Sequence, residues 1–358
     1  MKKSILAVSV AALFFTACSN SEDFETPQPQ KEIALNPVAQ KATRAPITGN
    51  SFDDDQKIYV SAWNSVSKDY FKNIEFGKDA STSTSASVKT WKAGQLWPVN
   101  GVTSFLAYAF TPATQTTKVM DEKTAEWGSS DANWAKQVSF NLSSKSLCYE
   151  PVSEGATDVS SNGTPYVDLL YANADQTKEK DYTTVNMEFK HSGAWIVFNV
   201  KLADDLTNAD VIINNFSLLN VHKGGKLTID NTIAGGAKAS WDLTSCTAED
   251  YKVESFPQAT TDYTKGLKLS TTDAIFGVVL PEQQQTAIQF KYTLSSTDGD
   301  FAAQTATYTH NLDRFNKWEM GKKYVYNITV SFSEIEITPS VTNWDTTSPA
   351  GDNNVAVQ

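Results

Sequence analysis

The chain has 358 residues, with 41 acidic against 30 basic side chains and a formal net charge of −11. A surface this acidic, with no Lys/Arg-rich stretch, repels phosphate backbones and anionic lipid head groups, which argues against nucleic-acid partners and electrostatic adsorption to membranes. Three cysteines, Cys18, Cys148 and Cys246, are too few for a disulfide-dense scaffold, and sequence leaves open whether the last two pair.

Residues 1–17 read as an export signal. Lys2 and Lys3 make a basic start, Ile5 to Phe15 form an apolar run of eleven residues, and Thr16-Ala17 put small residues before Cys18. The run is too short to cross a bilayer. The arrangement resembles a bacterial lipoprotein signal, although Phe15 stands where such signals usually carry Leu. In such signals the cysteine becomes the lipidated, palmitate-bearing first residue and the only membrane attachment. The alternative is an unlipidated secreted chain with an ordinary cleavage site. Without the signal, 28 basic and 41 acidic residues remain, a charge near −13.

Residues 18–44 form the next segment. From 19 to 43 the chain is poor in large apolar side chains and rich in Ser, Glu, Pro, Gln and Ala, the composition of a linker that cannot bury enough surface to fold alone. The acidic run at 19 to 23 resembles signals that send lipoproteins to the outer face of the outer membrane. Within the linker, Glu32-Ile33-Ala34-Leu35-Asn36 alternates as a half-buried strand requires.

Beyond the linker, short β-favouring runs recur. They are Lys57 to Trp63, Tyr70 to Phe76, Val102 to Phe110, Gln137 to Leu142 and Tyr166 to Tyr171. The series continues with Val185 to Phe189, Ala194 to Val200, Val211 to Leu219, Ala274 to Leu280, Ala287 to Leu294, Ala303 to Tyr308 and Tyr324 to Phe332. Long helical periodicity is absent, so the pattern predicts an all-β chain built of β-sandwiches. Ser81 to Ser87 and Ser153 to Gly163 read as solvated loops. The charged segment at 176 to 181 suggests a boundary near Asp181, separating an N-terminal sandwich over 45–181 from a C-terminal one over 182–358.

Little in the sequence points to chemistry. His191, His222 and His310 have no second ligand at metal-site spacing. No phosphate loop and no nucleophile elbow appears. Asp53-Asp54-Asp55 lacks the glycine and closing glutamate of a calcium loop and reads as a solvated turn. No catalytic residue, metal or cofactor is expected. Eight of the nine tryptophans, Trp91, Trp97, Trp127, Trp134, Trp195, Trp241, Trp318 and Trp344, suit β-sandwich cores; exposed, they would make a platform for sugar rings, and a monomeric glycan-binding surface lipoprotein is the competing function.

Five local patterns share one resemblance. They are Gln95-Leu96-Trp97-Pro98-Val99-Asn100-Gly101 leading into the strand at 102, Asp168-Leu169-Leu170-Tyr171-Ala172, Phe189-Lys190-His191 with Ser192-Gly193-Ala194-Trp195 behind it, Gly277-Val278-Val279-Leu280-Pro281, and Trp318-Glu319-Met320-Gly321-Lys322-Lys323-Tyr324-Val325-Tyr326. In this order they resemble the fimbrillin-like subunits of type V pili from Bacteroidota-type bacteria. The resemblance implies two transthyretin-like, Greek-key β-sandwich domains in tandem. It also implies export as a lipoprotein and maturation by a trypsin-like, arginine-specific protease. Its partners would be other pilus subunits, bound head to tail, and a host glycan or protein receptor.

Lys41-Ala42-Thr43-Arg44-Ala45-Pro46 places one arginine in the linker, where a protease can bind extended backbone, and Arg44-Ala45 fits the family's cleavage position. A sandwich that loses its first strand exposes unpaired backbone and an apolar groove. Ile33 and Leu35 would then be a temporary plug strand. At the other end, Glu334 to Thr342 alternates with Ile335, Ile337 and Val341 on one face, as a strand donated into a neighbour's groove would. Periodicity fits the chain's own last strand equally well. A donated strand would build a shaft; a self-inserted one would suit a tip or cap.

Overall fold

The computed structural model describes residues 31–39, 52, 54, 56–66, 68–80, 90–111, 125–127, 136–142, 168–177, 184–204, 206, 208–232, 237–252, 266–269, 271, 274–331 and 334–343. These residues form strands and no helix. The first nine are β1 (Leu35–Ala39), β2 (Ile58–Asn64), β3 (Lys68–Lys78), β4 (Trp91–Lys92), β5 (Val102–Thr111), β6 (Ala125–Trp127), β7 (Gln137–Asn141), β8 (Asp168–Thr177) and β9 (Val185–His191). Then come β10 (Ala194–Leu202), β11 (Ala209–Val221), β12 (Lys226–Asp230), β13 (Lys238–Asp242), β14 (Glu249–Lys252), β15 (Leu267–Lys268) and β16 (Ala274–Leu280). The last six are β17 (Gln283–Gln284), β18 (Ala287–Ser296), β19 (Gln304–Asn311), β20 (Lys317–Trp318), β21 (Lys322–Val330) and β22 (Ile335–Asn343).

The first sheet runs β1-β4-β3-β2-β5-β8-β9 and returns to β1, a closed path of seven strands. Closure depends on β1, which pairs antiparallel with β4 on one side and parallel with β9 on the other. The interior holds Ile33, Leu35, Phe52, Ile58, Val60, Phe76, Trp91, Trp97, Phe105, Val185, Met187 and Phe189. The continuous apolar run of β5 is explained by burial on both faces. Phe105, Ala107 and Ala109 point into the closed sheet, while Leu106, Tyr108 and Phe110 point out, as period-2 geometry dictates.

That outer face is covered by a sheet of order β13-β12-β7-β6. Val138 and Phe140 of β7, with Leu227 and Ile229 of β12, pack there against Leu169 and Tyr171 of β8. Tyr108 and Phe140 meet edge to face at 4.8 Å. The hairpin β12-β13 thus adds to β7 from far away in sequence, Leu227 facing Phe140 across the ladder.

Two further sheets, β16-β10-β21-β22 and β14-β11-β18-β19, enclose a separate core. Phe198, Phe216 and Phe290 form its centre, with Phe198 and Phe216 4.8 Å apart and Phe216 and Phe290 stacked at 5.7 Å. The change from the first core to this one falls at Ser192-Gly193, because β9 still pairs with β1 and β8 while Ala194 already belongs to the second core. A side chain at Gly193 would press on Val279 at 2.6 Å, so the passage between the two cores needs glycine.

Candidate functional site at the terminal strands

The signature patterns have structural explanations that leave no polar site among them. Trp97 is buried and meets Phe105 edge to face at 5.8 Å, folding over the strand that follows it. β10 and β16 lie side by side with Val197 opposite Gly277, where a Cβ would come within 2.5 Å of the Ile196 carbonyl and 3.2 Å of the Trp195 ring nitrogen. Lys323 covers the same indole, its Nζ 4.5 Å from the ring centroid. In the last pattern, Trp318 donates its ring N–H to the Tyr326 hydroxyl at 2.9 Å, Glu319 donates its backbone N–H to the Tyr324 hydroxyl at 2.9 Å, and Gly321 turns at φ +68°.

The histidines are scattered. His191 is buried, the His222 ring lies 2.7 Å from the Cys246 carbonyl, and His310 stacks on Tyr308. Asp54 pairs with Lys78. No group of three or more His, Cys, Asp or Glu among the described residues is placed to hold a metal ion. Cys246 is a buried free thiol; Cys18, Cys148, Arg44 and Ala45 lie outside the described residues. Trp91, Trp97, Trp195 and Trp318 are core residues.

The first and last strands among the described residues stand in contrast. Ile33 and Leu35 are both 0% exposed. Ile33 donates its N–H to the Gln95 carbonyl at 2.7 Å, Trp97 donates to the Lys31 carbonyl at 2.9 Å, and Val185 donates to the Ala34 carbonyl at 2.8 Å. The parallel ladder then runs Leu35↔Val185, Asn36↔Asn186, Pro37↔Met187, Val38↔Glu188 and Ala39↔Phe189. On the outer face, the Asn36 amide donates to the Asn186 side-chain oxygen at 2.9 Å. Glu32 accepts the Gly94 N–H at 2.7 Å and lies 3.9 Å from the Lys92 ammonium.

Pro37 is tolerated for a geometric reason. Since Ile33 presents its N–H to the β4 side, the two-residue period sends the N atoms of Leu35 and Pro37 the same way. Among the described residues the β4 ladder reaches only Leu35, opposite Trp91, so the missing donor of Pro37 breaks no pair there.

β22 forms nine antiparallel pairs with β21, from Val330↔Ile335 to Lys322↔Asn343, and is the outermost strand of its sheet. Ile335, Ile337 and Val341 are partly buried against the second core. Tyr308 donates its hydroxyl to the Ile335 carbonyl at 3.3 Å. Pro339 faces Tyr326 across the ladder, and a proline suits an edge strand. Of the two alternating segments singled out from sequence, Glu334–Thr342 lies almost wholly in an edge strand, whereas Glu32–Asn36 is held between two neighbours with Glu32 in an isolated bridge to Leu96 and only Leu35 and Asn36 inside β1. The role of β4 escaped sequence reading because two residues carry no periodicity; only the tryptophan at 91 marked the place.

Known proteins resemble this chain over most of its length. A family model described as fimbrillin-like matches residues 43–344, a span that contains β22 and begins after β1. A provisionally named fimbrium subunit, Fim1C, of Bacteroides uniformis is 24% identical over 284 residues, covering 73% of this chain and 81% of that protein. Among solved structures, a fimbrial protein from Bacteroides vulgatus has a TM-score of 0.54 at 14% identity, covering 87% of this chain and 99% of that one. A protein from Bacteroides uniformis provisionally named as a cell adhesion protein has a TM-score of 0.47 at 18% identity, covering 87% of this chain and 99% of that one.

Proposed function

The chain belongs to the fimbrillin-like family, and from that premise we propose that it is a structural subunit of a type V pilus, exported as a lipoprotein through Cys18, matured by cleavage after Arg44 and polymerised by strand donation. It associates with other subunits on the cell surface and carries out no reaction. The tandem transthyretin-like, Greek-key arrangement is part of the same reading: with β1 absent, the closed first sheet becomes an open one whose two ends await a partner.

The observation that carries the proposal is the double pairing of β1. Arg44 lies five residues beyond Ala39, so a cut there separates all of β1 from the rest of the chain. Its departure opens the path to β4-β3-β2-β5-β8-β9. Two unpaired strand edges and an apolar trough lined by Trp91, Val185, Met187 and Phe189 then face water. Unpaired buried backbone and exposed apolar area are both costly, so the trough favours a replacement strand. A strand supplied by another copy gives main-chain bonds for affinity and alternate side chains for register. Because each copy gives at one end and receives at the other, the contact does not close on itself and yields a filament. The protease that makes the cut is arginine-specific, and a host glycan or protein is what the finished fibre would engage.

Limited digestion with trypsin tests this. Cleavage after Arg44 is expected to convert purified monomer into polymers seen by size-exclusion chromatography and electron microscopy. A cut chain that stays monomeric would overturn the proposal.

A further inference from the structure

The last strand repeats the first in its residues as well as in its alternation. Glu334-Ile335-Glu336-Ile337-Thr338-Pro339 matches Glu32-Ile33-Ala34-Leu35-Asn36-Pro37 in its opening glutamate, its isoleucine, a large aliphatic two residues on, a short hydrogen-bonding side chain and a proline. Resting on the strand-donation reading above, we infer that Glu334–Pro339 of a second copy enters the groove left by β1 in one fixed register. Ile335 takes the place of Ile33, Ile337 of Leu35, Thr338 of Asn36 and Pro339 of Pro37. The incoming strand runs parallel to β9 and antiparallel to β4.

Each position has a reason to accept its substitute. Ile33 and Leu35 fill fully buried sites, and isoleucine and leucine have nearly equal volume. Ala34 sits on the opposite face from these two and is partly exposed, so the Glu336 side chain has solvent to enter. The carboxylate of Glu334 meets the same Gly94 N–H and Lys92 ammonium that Glu32 now meets. The Thr338 hydroxyl can serve Asn186 as the Asn36 amide does. Pro339 falls where a missing N–H breaks no ladder, just past the end of β4.

The same features forbid other registers. A slip of one residue turns Ile335 and Ile337 outward and buries Glu336. A slip of two in one direction puts Pro339 opposite Trp91, where the ladder needs a donor; in the other direction it leaves the Gly94 and Lys92 site without its carboxylate. β22 can be released because among the described residues it pairs with one strand, β21, and its inward side chains are only partly buried. In the groove it gains a second neighbour, and the sites awaiting Ile335 and Ile337 are fully buried.

The test uses outward-facing residues, so folding is spared. Asn186 is exposed in β9, and Thr338 is exposed in β22. Asn186→Cys chains and Thr338→Cys chains are mixed, cut after Arg44, allowed to polymerise, and treated with a short thiol-to-thiol cross-linker. The expected result is a covalent dimer band that needs both variants and is lost when either is omitted. The proposal is overturned if polymers form but Asn186→Cys links instead to Glu336→Cys or Ser340→Cys; donation itself would then survive in another register. Failure of the cut chains to polymerise overturns both the register and the donation reading.

Discussion

The string 32–37, which runs into β1, and the string 334–339, which runs into β22, are alike in pattern and occupy opposite kinds of place. β1 lies between two strands, with Ile33 and Leu35 sealed from solvent. β22 hangs on one strand, and Ile335 and Ile337 are only partly covered. The difference shows that an alternating apolar pattern sets which face of a strand is buried but not how deeply. Depth comes from how many strands the neighbourhood supplies. The first core depends on a segment that lies upstream of Arg44, whereas the second is complete with residues downstream of it.

The largest effect that tests this contrast is expected in β1. Leu35→Ala removes a fully buried side chain opposite Trp91 and leaves a cavity, so the uncut chain is expected to lose about 2–5 kcal/mol. Denaturant unfolding followed by tryptophan fluorescence measures it. A loss no larger than that of a surface substitution would mean that β1 is not part of the first core.

A middle-sized effect is expected beneath β22. Tyr326, which faces Pro339 of β22, accepts hydrogen bonds from the Trp318 ring N–H and the Gln285 amide, both at 2.9 Å. Tyr326→Phe strands both donors and is expected to cost about 1–3 kcal/mol near neutral pH. The Tyr326 hydroxyl also carries a pH signature. Burial raises its ionisation above the usual tyrosine value, opposed by the Trp318 N–H. Its folded form is thus held neutral while the unfolded chain ionises near pH 10. Its contribution is full below about pH 10 and falls as pH rises beyond it, because the unfolded chain then binds fewer protons. Stability measured from pH 8 to 11 is expected to fall less steeply in Tyr326→Phe than in the parent; equal slopes would remove Tyr326 from the account.

Most long strands of this architecture were legible in the sequence. The runs at 102, 137, 185, 194, 274 and 287 begin where β5, β7, β9, β10, β16 and β18 begin, because each has enough apolar alternation or continuous apolar character to mark itself. β12, β13 and β14 were missed. Lys238–Asp242 contributes an edge strand with alternating exposed and partly exposed residues, so its sequence looks like a loop. β12 gains its place from β7, a partner that no local pattern can reveal. The boundary near Asp181 rested on a charged stretch, yet Val185, Met187 and Phe189 of β9 point into the first core. Alternation shows that β9 has a buried face but cannot say which core that face joins. At the terminal strands, Ile33, Leu35, Ile335, Ile337 and Val341 were legible as apolar faces. The enclosure of β1 was not, since it depends on the two-residue β4.

The smallest effect on the uncut chain is the one that best separates the two strands. Ile337 is the counterpart of Leu35, but in its own chain it lies on an edge and is only partly buried. Ile337→Ala therefore gives up only part of the transfer free energy of the side chain, about 1 kcal/mol, and leaves an open surface that water fills in place of a cavity. Its unfolding midpoint is expected to stay close to the parent's. After cleavage the same substitution acts in a different place, because the groove site opposite Trp91 is fully buried and an alanine there leaves it unfilled. Polymer yield after trypsin is thus expected to drop sharply for Ile337→Ala, while Thr342→Ala, a partly exposed position outside the matching string, polymerises like the parent. If Ile337→Ala instead destabilises the monomer as strongly as Leu35→Ala and leaves polymer yield unchanged, β22 belongs to its own chain in the same sense as any core strand, and the asymmetry between the two termini has no part in assembly.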